Sequence, residues 1–385
     1  MKEIETVGQF KRWLSGASPL KPAAVQAVDA SRFDREIQQR EFTGSIFLGC
    51  ELSEQATNRI VATGGIVFPQ LDDFLFPVHR SRLYEPEELF SDFDPEDENS
   101  FQNTLDHRVY LQYKSHGGAQ TESIRVTLAR RLHDHSITDA LHDAIKGEKV
   151  VAIMGGHSME RGDPYFAKIA HLSRLLTQDG FLMVSGGGPG AMEATHVGAY
   201  FASRKEFELD AALSMMSKRP EGAEPGREYA DHDWLHRAWR VRLVFPLSAS
   251  DKKKCRSIGI PTWLYGQEPP TPFATHIAKY FANSVREDGL LQIANHGLVF
   301  SPGSAGTIQE IFQDAAQNHY HTTGGCAPMI LFGEQYWKET KPVWPLMKSL
   351  SRGQPYGELL AITDSAAEIR RRLASFRPEL YGKPS

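Results

Sequence analysis

Two glycine-rich turns constrain this chain more than any other feature. The first, SGGGPGAMEA, occupies residues 185–194, and the second, SPGSAGTIQE, occupies residues 301–310. Each follows a short apolar run that reads as a buried strand, residues 181–184 and 297–300, and each opens a helical pattern. A strand, a glycine turn and a helix in that order form the repeating unit of parallel α/β proteins. Two such units predict an α/β fold: a Rossmann-like, doubly wound parallel sheet with helices on both faces. Sheets of this kind bind ligands at the carboxyl ends of their strands. A third candidate end is Gly155-Gly156, which closes the β-branched run VVAIM at residues 150–154.

The alternation starts at Val150. Residues 165–178 place Ile169, Leu172, Leu175 and Leu176 at helical spacing, and Gly180 stops them. Helices are expected at 192–202, at 274–293, from 307 to about 317, and at 366–376. Further strands are expected at 257–262 and 329–332. Residues 203–250 read as an insertion, with the turn-rich RPEGAEPGRE and an amphipathic stretch around Trp234, Leu235, Trp239 and Val241. Residues 1–145 read as a separate N-terminal mixed α/β region, and 146–385 as the nucleotide-binding domain. In the first region, strands are expected at 45–48 and 60–68, followed by an exposed acidic loop ending near Ser100. A helix is expected at 122–145, with Ile124, Leu128, Leu132, Ile137 and Leu141 near one face.

Composition narrows the function classes. With 43 Lys and Arg against 48 Asp and Glu, the formal net charge is −5, which gives no electrostatic footprint for nucleic acid or anionic membrane. The three cysteines, Cys50, Cys255 and Cys326, form no CxxC pair, so neither a zinc knuckle nor a disulfide framework is indicated. No run approaches the roughly 18 apolar residues of a membrane span, and the first residues lack an apolar signal segment. A cytoplasmic protein is the expectation.

The chemistry of the turns is anion binding. Glycines after a strand let the backbone approach a ligand, and the helix behind them offers unpaired N–H groups and a partial positive charge. Phosphate is the usual beneficiary. Thr307 stands where its hydroxyl could cap the helix or meet a phosphate. Gly186, Gly188 and Ala191 satisfy the spacing of a dinucleotide fingerprint, but that fingerprint belongs after the first strand of its unit, and here it follows the second. No GK[ST] follows either turn, so a Walker loop is absent. His319 and His321 read as a helix-end polar cluster, not a metal site. Lys252–Lys254 with Arg256 read as a solvated loop, and Trp234 and Trp239 as residues packing the insertion onto the core or a partner subunit.

VAIMGGHS, SGGGPGAMEATHVGA and PGSAGTIQE together resemble the LOG-type phosphoribohydrolases, long mislabelled lysine decarboxylases. Their GGHS, GPGAMEA and EPPxP strings (the last is EPPTP at 268–272) are more similar to the pyrimidine/purine nucleotide 5′-monophosphate nucleosidases of that group. The resemblance covers roughly residues 148–335. It implies hydrolysis of the N-glycosidic bond of a nucleoside 5′-monophosphate to free base and ribose 5-phosphate, with no metal or organic cofactor. It places the family's essential arginine on Arg286 and its essential glutamate on Glu310. The implied substrate-binding residues are Gly155, Gly156 and Ser158 on the base or ribose side, then Gly186, Gly187, Gly188 and Gly190 with Met192 behind them. Gly303, Ser304, Ala305, Gly306 and Thr307 complete the set, against the phosphate. The sequence departs from the family where Ser304 replaces the second glycine of PGG, and its first signature is one residue shorter. A homodimer or larger homo-oligomer is implied as well. Two alternatives stay open: a nucleotide-binding regulatory protein that has lost catalysis, and a cytokinin-activating phosphoribohydrolase.

Overall fold

A computed structural model describes residues 1–218, 226–230, 233–322 and 325–381. The chain divides into two compact units. One is made of Met1–Leu83 and Leu111–Ala144, the other of Tyr84–Tyr110 and Ile145–Ser385. The segment 84–110, grouped by sequence with the N-terminal region, therefore belongs to the second unit.

The first unit holds a four-stranded, all-parallel sheet: β1 (Lys2–Ile4), β2 (Ala23–Gln26), β3 (Ile46–Leu48) and β4 (Ile66–Phe68), paired in that order. Helix Val7–Leu14 joins the first two strands and starts with a capping box, in which the Gln9 amide N–H donates to Thr6 Oγ1 and the Thr6 N–H donates to the Gln9 side chain. Its buried face contributes Phe10 and Trp13 to an aromatic core with Phe42 and Phe47. The strand expected at 60–68 is shorter. Ser53 caps a helix over Glu54–Ala62 that takes in Ile60, and the strand begins only after Gly64-Gly65. The helix expected at 122–145 exists as Ile124–Ile145; Ile137 and Leu141 are buried as expected and Leu132 is half-buried, but the face fails at its N-terminal end. Ile124 is 84% exposed and Leu128 46% exposed, while Arg130, His133 and Asp134 are buried. Arg130 satisfies itself by donating to the carbonyls of Gly118 and Tyr113 and by lying over the Tyr113 ring. Arg130, His133 and Asp134 share the buried face with Ile137 and Leu141.

The second unit is built on seven parallel strands: β5 (Val150–Met154), β6 (Leu182–Ser185), β7 (Ser257–Gly259), β8 (His276–Ile277), β9 (Gly297–Phe300), β10 (Met329–Phe332) and β11 (Leu360–Thr363). Their spatial order is β11-β10-β9-β5-β6-β7-β8. This is a doubly wound, Rossmann-like order extended by one edge strand. Val150–Met154, Leu182–Ser185, Gly297–Phe300 and Met329–Phe332 are buried throughout, as expected of strands covered on both faces. Helix Pro164–Gln178 starts at Asp163, whose side chain accepts from the Tyr165 N–H, with Pro164 at the first helical position. It buries Phe166, Ile169, Leu172 and Leu176 against the sheet core. The helix expected at 274–293 splits: 276–277 is edge strand β8, and only Asn283–Ile293 is helical. The strand expected at 257–262 ends at Gly259.

The insertion supplies helices Glu206–Met216, Asp233–Val244 and Ala249–Lys254, so Lys252–Lys254 close a helix and are not a loop. Residues 219–225 of its turn-rich stretch lie outside the described residues. Trp234 and Trp239 pack with Phe90 and Phe93, so this part of the stretch before Ser100 is partly buried, while Asp92, Asp94 and residues 96–99 are exposed as expected. Among the described residues, no helix is long and apolar enough to cross a membrane.

Candidate functional site

β5 leads to β6 on one side of the sheet, whereas β9 returns to pair with β5 on the other, in the register Ala152↔Leu298 and Met154↔Phe300. The chain therefore reverses its winding between β5 and β9. At such a switch point the loops splay apart and leave a crevice. Gly155-Gly156 and Ser301–Gly303 meet there: the Gly156 N–H donates to Pro302 O at 3.1 Å, and the Ser301 N–H to Met154 O at 2.8 Å.

The second turn is held with its carbonyls turned into the protein. Pro302 O accepts from Gly156, Gly303 O accepts from the Tyr336 hydroxyl at 2.6 Å, and Ser304 O accepts from the Ile308 N–H. Trp337 Nε1 donates to Phe300 O just upstream. Helix Ala305–Tyr320 follows, with Ser304 as its N-cap residue and no side-chain cap. Ser304, Ala305 and Gly306 are exposed, and no heavy atom lies within 4 Å of where a Gly306 Cβ would stand. An open helix N-terminus of this kind is a ready anion site. Thr307 neither caps the helix nor faces solvent. It is buried, and its hydroxyl fills the space that a side chain at Gly303 would need. Ser304 points outward, where the Lys341 ammonium donates to its Oγ at 3.3 Å.

The first turn is more occupied. The Gly187 N–H donates to Ser185 Oγ at 3.1 Å and the Ala191 N–H to Gly156 O at 3.2 Å, so two of its donors are already used. Gly187 and Gly190 both take φ +70, a conformation that favours glycine. Ser185 Oγ also meets His196 Nε2 at 2.8 Å, and His196 Nδ1 meets Ser257 Oγ at 3.0 Å. Full burial pushes the His196 pKa down to about 3, so the imidazole is a neutral link between β6, β7 and helix Ala191–Tyr200. Met192 lies under Gly186 and Gly188 with its sulfur against the turn. Ser158 is exposed at the rim, with Oγ 3.8 Å from the position of a Gly156 Cβ.

Arg286 and Glu310 reach this crevice from two adjacent helices. Arg286 lies on Asn283–Ile293, donates from Nε to Ile260 O at 2.8 Å, and extends its guanidinium over Gly186, where any Cβ would collide with it. Its side chain is 11% exposed, and its nearest ion-pair contact is Glu287 at 4.0 Å. Glu310 is half-buried in the second turn of Ala305–Tyr320. Burial pushes its carboxyl up to about 7, with Arg286 pulling it down and Glu287 adding to the rise. The two helices are joined beside the site, where Gln309 Nε2 donates to Glu287 Oε2 at 3.3 Å and Gln313 to Asp288, and Asn283 Nδ2 braces Glu287 Oε1 from within its own helix at 2.6 Å.

Glu268 was not singled out by sequence reasoning. It opens the EPPTP loop, whose Thr271 N–H donates to Gly187 O at 2.8 Å. Its Oε2 lies 3.9 Å from where a Gly188 Cβ would be. Burial raises its carboxyl above the usual range, and His157 and Arg286 act against the rise. The crevice thus has a carboxyl on each wall and a guanidinium that both carboxyls feel. In the sequence Glu268 stands first in the EPPTP string, beside a rigid Pro-Pro pair, but nothing there marks it as part of the crevice. Behind the first turn, Glu193 accepts two hydrogen bonds from Arg161, at 2.8 and 2.6 Å, and Arg161 also donates to Trp234 O and lies 4.4 Å over the Trp234 ring. That buried pair fastens the insertion to the site.

His321 is the left-handed C-cap of Ala305–Tyr320, 3.5 Å from the Cys326 sulfur, and no group of three metal-ligating side chains occurs among the described residues. No family model matches the chain, and no curated protein matches it. Among solved structures, it is similar to the molybdenum cofactor binding protein from the phototrophic bacterium Rippkaea orientalis at 15% identity, over 59% of this chain and 96% of that one, with a TM-score of 0.36. It is also similar to the Moco carrier protein from Chlamydomonas reinhardtii at 14% identity, over 60% of this chain and 99% of that one, with a TM-score of 0.35.

Proposed function

We propose that the protein hydrolyses the N-glycosidic bond of nucleoside 5′-monophosphates, releasing the base and ribose 5-phosphate. The observation that carries this reading is Glu310: a half-buried carboxyl, raised to about 7, one helical turn behind an uncapped helix N-terminus and under the charge of Arg286. The 5′-phosphate docks on the free N–H groups of residues 305–307, with Arg286 as its counter-charge. The ribose then lies between Gly156 and the Arg286 guanidinium that covers Gly186. Breaking the C1′–N bond sends its electron pair to the base and leaves positive charge on the ribose. Ionised Glu310 stabilises that charge and takes a proton from water as the oxygen bonds to C1′. Glu268, on the opposite wall and also raised by burial, gives the departing base its proton.

The motif resemblance supports the same reaction and implies a homodimer or larger homo-oligomer. The regulatory alternative is favoured by one feature, the outward Ser304 linked to Lys341 where relatives keep glycine. One experiment separates the two readings: incubate wild type and Glu310→Gln with AMP and UMP, and measure free base and nucleotide binding. The enzyme reading expects base release by wild type, and binding without release by the variant. Binding without release by both proteins would favour the regulator.

A further inference from the structure

The amino edge of the seven-stranded sheet carries a second concavity, unrelated to the crevice at the carboxyl edge. Its volume is about 600 Å³, within the range of small-molecule sites. Lys149, Phe181 and His296 line it, and each directly precedes β5, β6 or β9. The length of those strands, roughly 3.3 Å per residue, separates it from the glycine turns.

Its floor is apolar. Phe181, Leu373 and Phe376 are buried, and His296 lies between two phenylalanine rings, 6.0 Å from Phe181 and 5.8 Å from Phe376. Burial and then the Lys149 charge hold the His296 pKa below its usual value, against the pull of Glu379, which suits the ring to an apolar floor. The rim is basic, and its cations differ in how far they are committed. Arg370 is consumed by Asp179, to which it donates two hydrogen bonds. Lys149 makes no ion pair among the described residues. Arg371 is 73% exposed and has only a 4.0 Å contact to Glu368, a carboxylate already held by Arg372 at 2.9 Å and Thr363 at 2.9 Å. Two cations without strong partners over an aromatic floor are unusual in a chain of net charge −5.

We infer that this cleft is a second ligand site, for an organic anion with a flat apolar body and one carboxylate, sulfonate or phosphate head. The body stacks against Phe181, His296 and Phe376. The head meets Lys149 and Arg371. Bare inorganic phosphate would leave the floor unused and binds poorly. This site is independent of the reaction proposed above.

The test uses anilinonaphthalene sulfonate as the probe, with fluorescence and calorimetric titration of the full chain. The expected result is saturable binding of one probe per chain. Lys149→Glu with Arg371→Glu should weaken it about tenfold or more, because each swap replaces an attraction at the rim with a repulsion. Both residues are exposed, so the double variant keeps its fold, which circular dichroism checks; Lys149→Gln with Arg371→Gln should give an intermediate loss. Arg286→Gln should leave probe binding unchanged, and inorganic phosphate should not compete. Absence of saturable binding up to about 1 mM, equal binding by the charge-reversed variant, a comparable loss in Arg286→Gln, or competition by phosphate would each overturn the inference.

Discussion

Removing the charge of Glu310 should make the protein more stable while it stops turnover, and the gain should depend on pH in a fixed direction. The carboxyl is pushed from an ordinary 4.5 to about 7 in the folded protein, chiefly by burial. Below pH 4.5 the group is protonated in folded and unfolded chains alike and contributes no difference. Between 4.5 and 7 the unfolded chain ionises while the folded one holds its proton, so the wild type loses stability steadily. Above 7 both are ionised and the cost is constant. At about 1.4 kcal/mol per tenfold step in acidity, the ceiling is about 3.4 kcal/mol. Glu310 keeps partial contact with solvent, which reduces this to about 2 kcal/mol. Glu310→Gln keeps the shape of the side chain without the ionisation. Its melting temperature should therefore exceed that of wild type by about 2–4 °C at pH 8 and by under about 1 °C at pH 5. The assay is thermal unfolding of ligand-free protein at both pH values in matched ionic strength, beside base release from AMP at pH 8. A gain equal at the two pH values would refute the reasoning, because it would come from packing and not from a buried charge. A loss of stability at pH 8 would refute it more directly, since it would mean that ionised Glu310 is paired in the folded protein.

Three further outcomes follow from the same geometry. Ser304→Gly should retain or raise base release in steady-state assays, because the hydroxyl faces Lys341 and not the free N–H groups; complete loss would give the hydroxyl its own role. Arg286→Lys should cut kcat/KM about 100-fold or more, since one ammonium cannot both hold Ile260 O and reach over Gly186, and near-wild-type kinetics would remove Arg286 from the site. Arg161→Met should destabilise the protein by about 3–5 kcal/mol in urea unfolding, because it strands the fully buried Glu193; a loss below about 1 kcal/mol would show that the pair does not hold the insertion in place.

Some of this was legible in the sequence, and the reasons are physical. The strands at 150–154, 297–300 and 329–332 are continuous apolar runs bounded by glycine or polar residues, and the structure forms them with those bounds. Central parallel strands are buried on both faces, so their composition has no ambiguity to resolve. Edge and short strands carry no such signal. β1 and β2 span three and four residues and were not foreseen, and β8, with two, was absorbed into a predicted helix. The helix at 124–145 misled because apolar periodicity cannot see that Arg130 has backbone acceptors and a ring waiting for it. In the site, the glycines and the two charged residues were visible because each stands in a motif. Glu287, Gln309 and Tyr336 were not, and Glu268, though in the EPPTP string, gave no sign of its place in the crevice, because what makes them matter is a contact made across the fold.

The two turns that look alike in sequence are not alike in what they offer a ligand. Binding of an anion by backbone requires N–H groups with no other partner, and the first turn has spent two of its own on Ser185 and Gly156. The second has its carbonyls drawn inward by Gly156, Tyr336 and Ile308, and its helix starts without a cap. In the proposed reaction the first turn therefore serves as a wall, kept bare so that Arg286 can cross it, and the second as the anchor. Glu310 follows the helix start by one helical turn, so in the proposed reaction a phosphate held there would set the distance from carboxyl to sugar. Ser304 sits at the mouth of that anchor with its hydroxyl turned away. A serine there leaves the N–H groups free as a glycine would, and the departure from glycine is compatible with a working site.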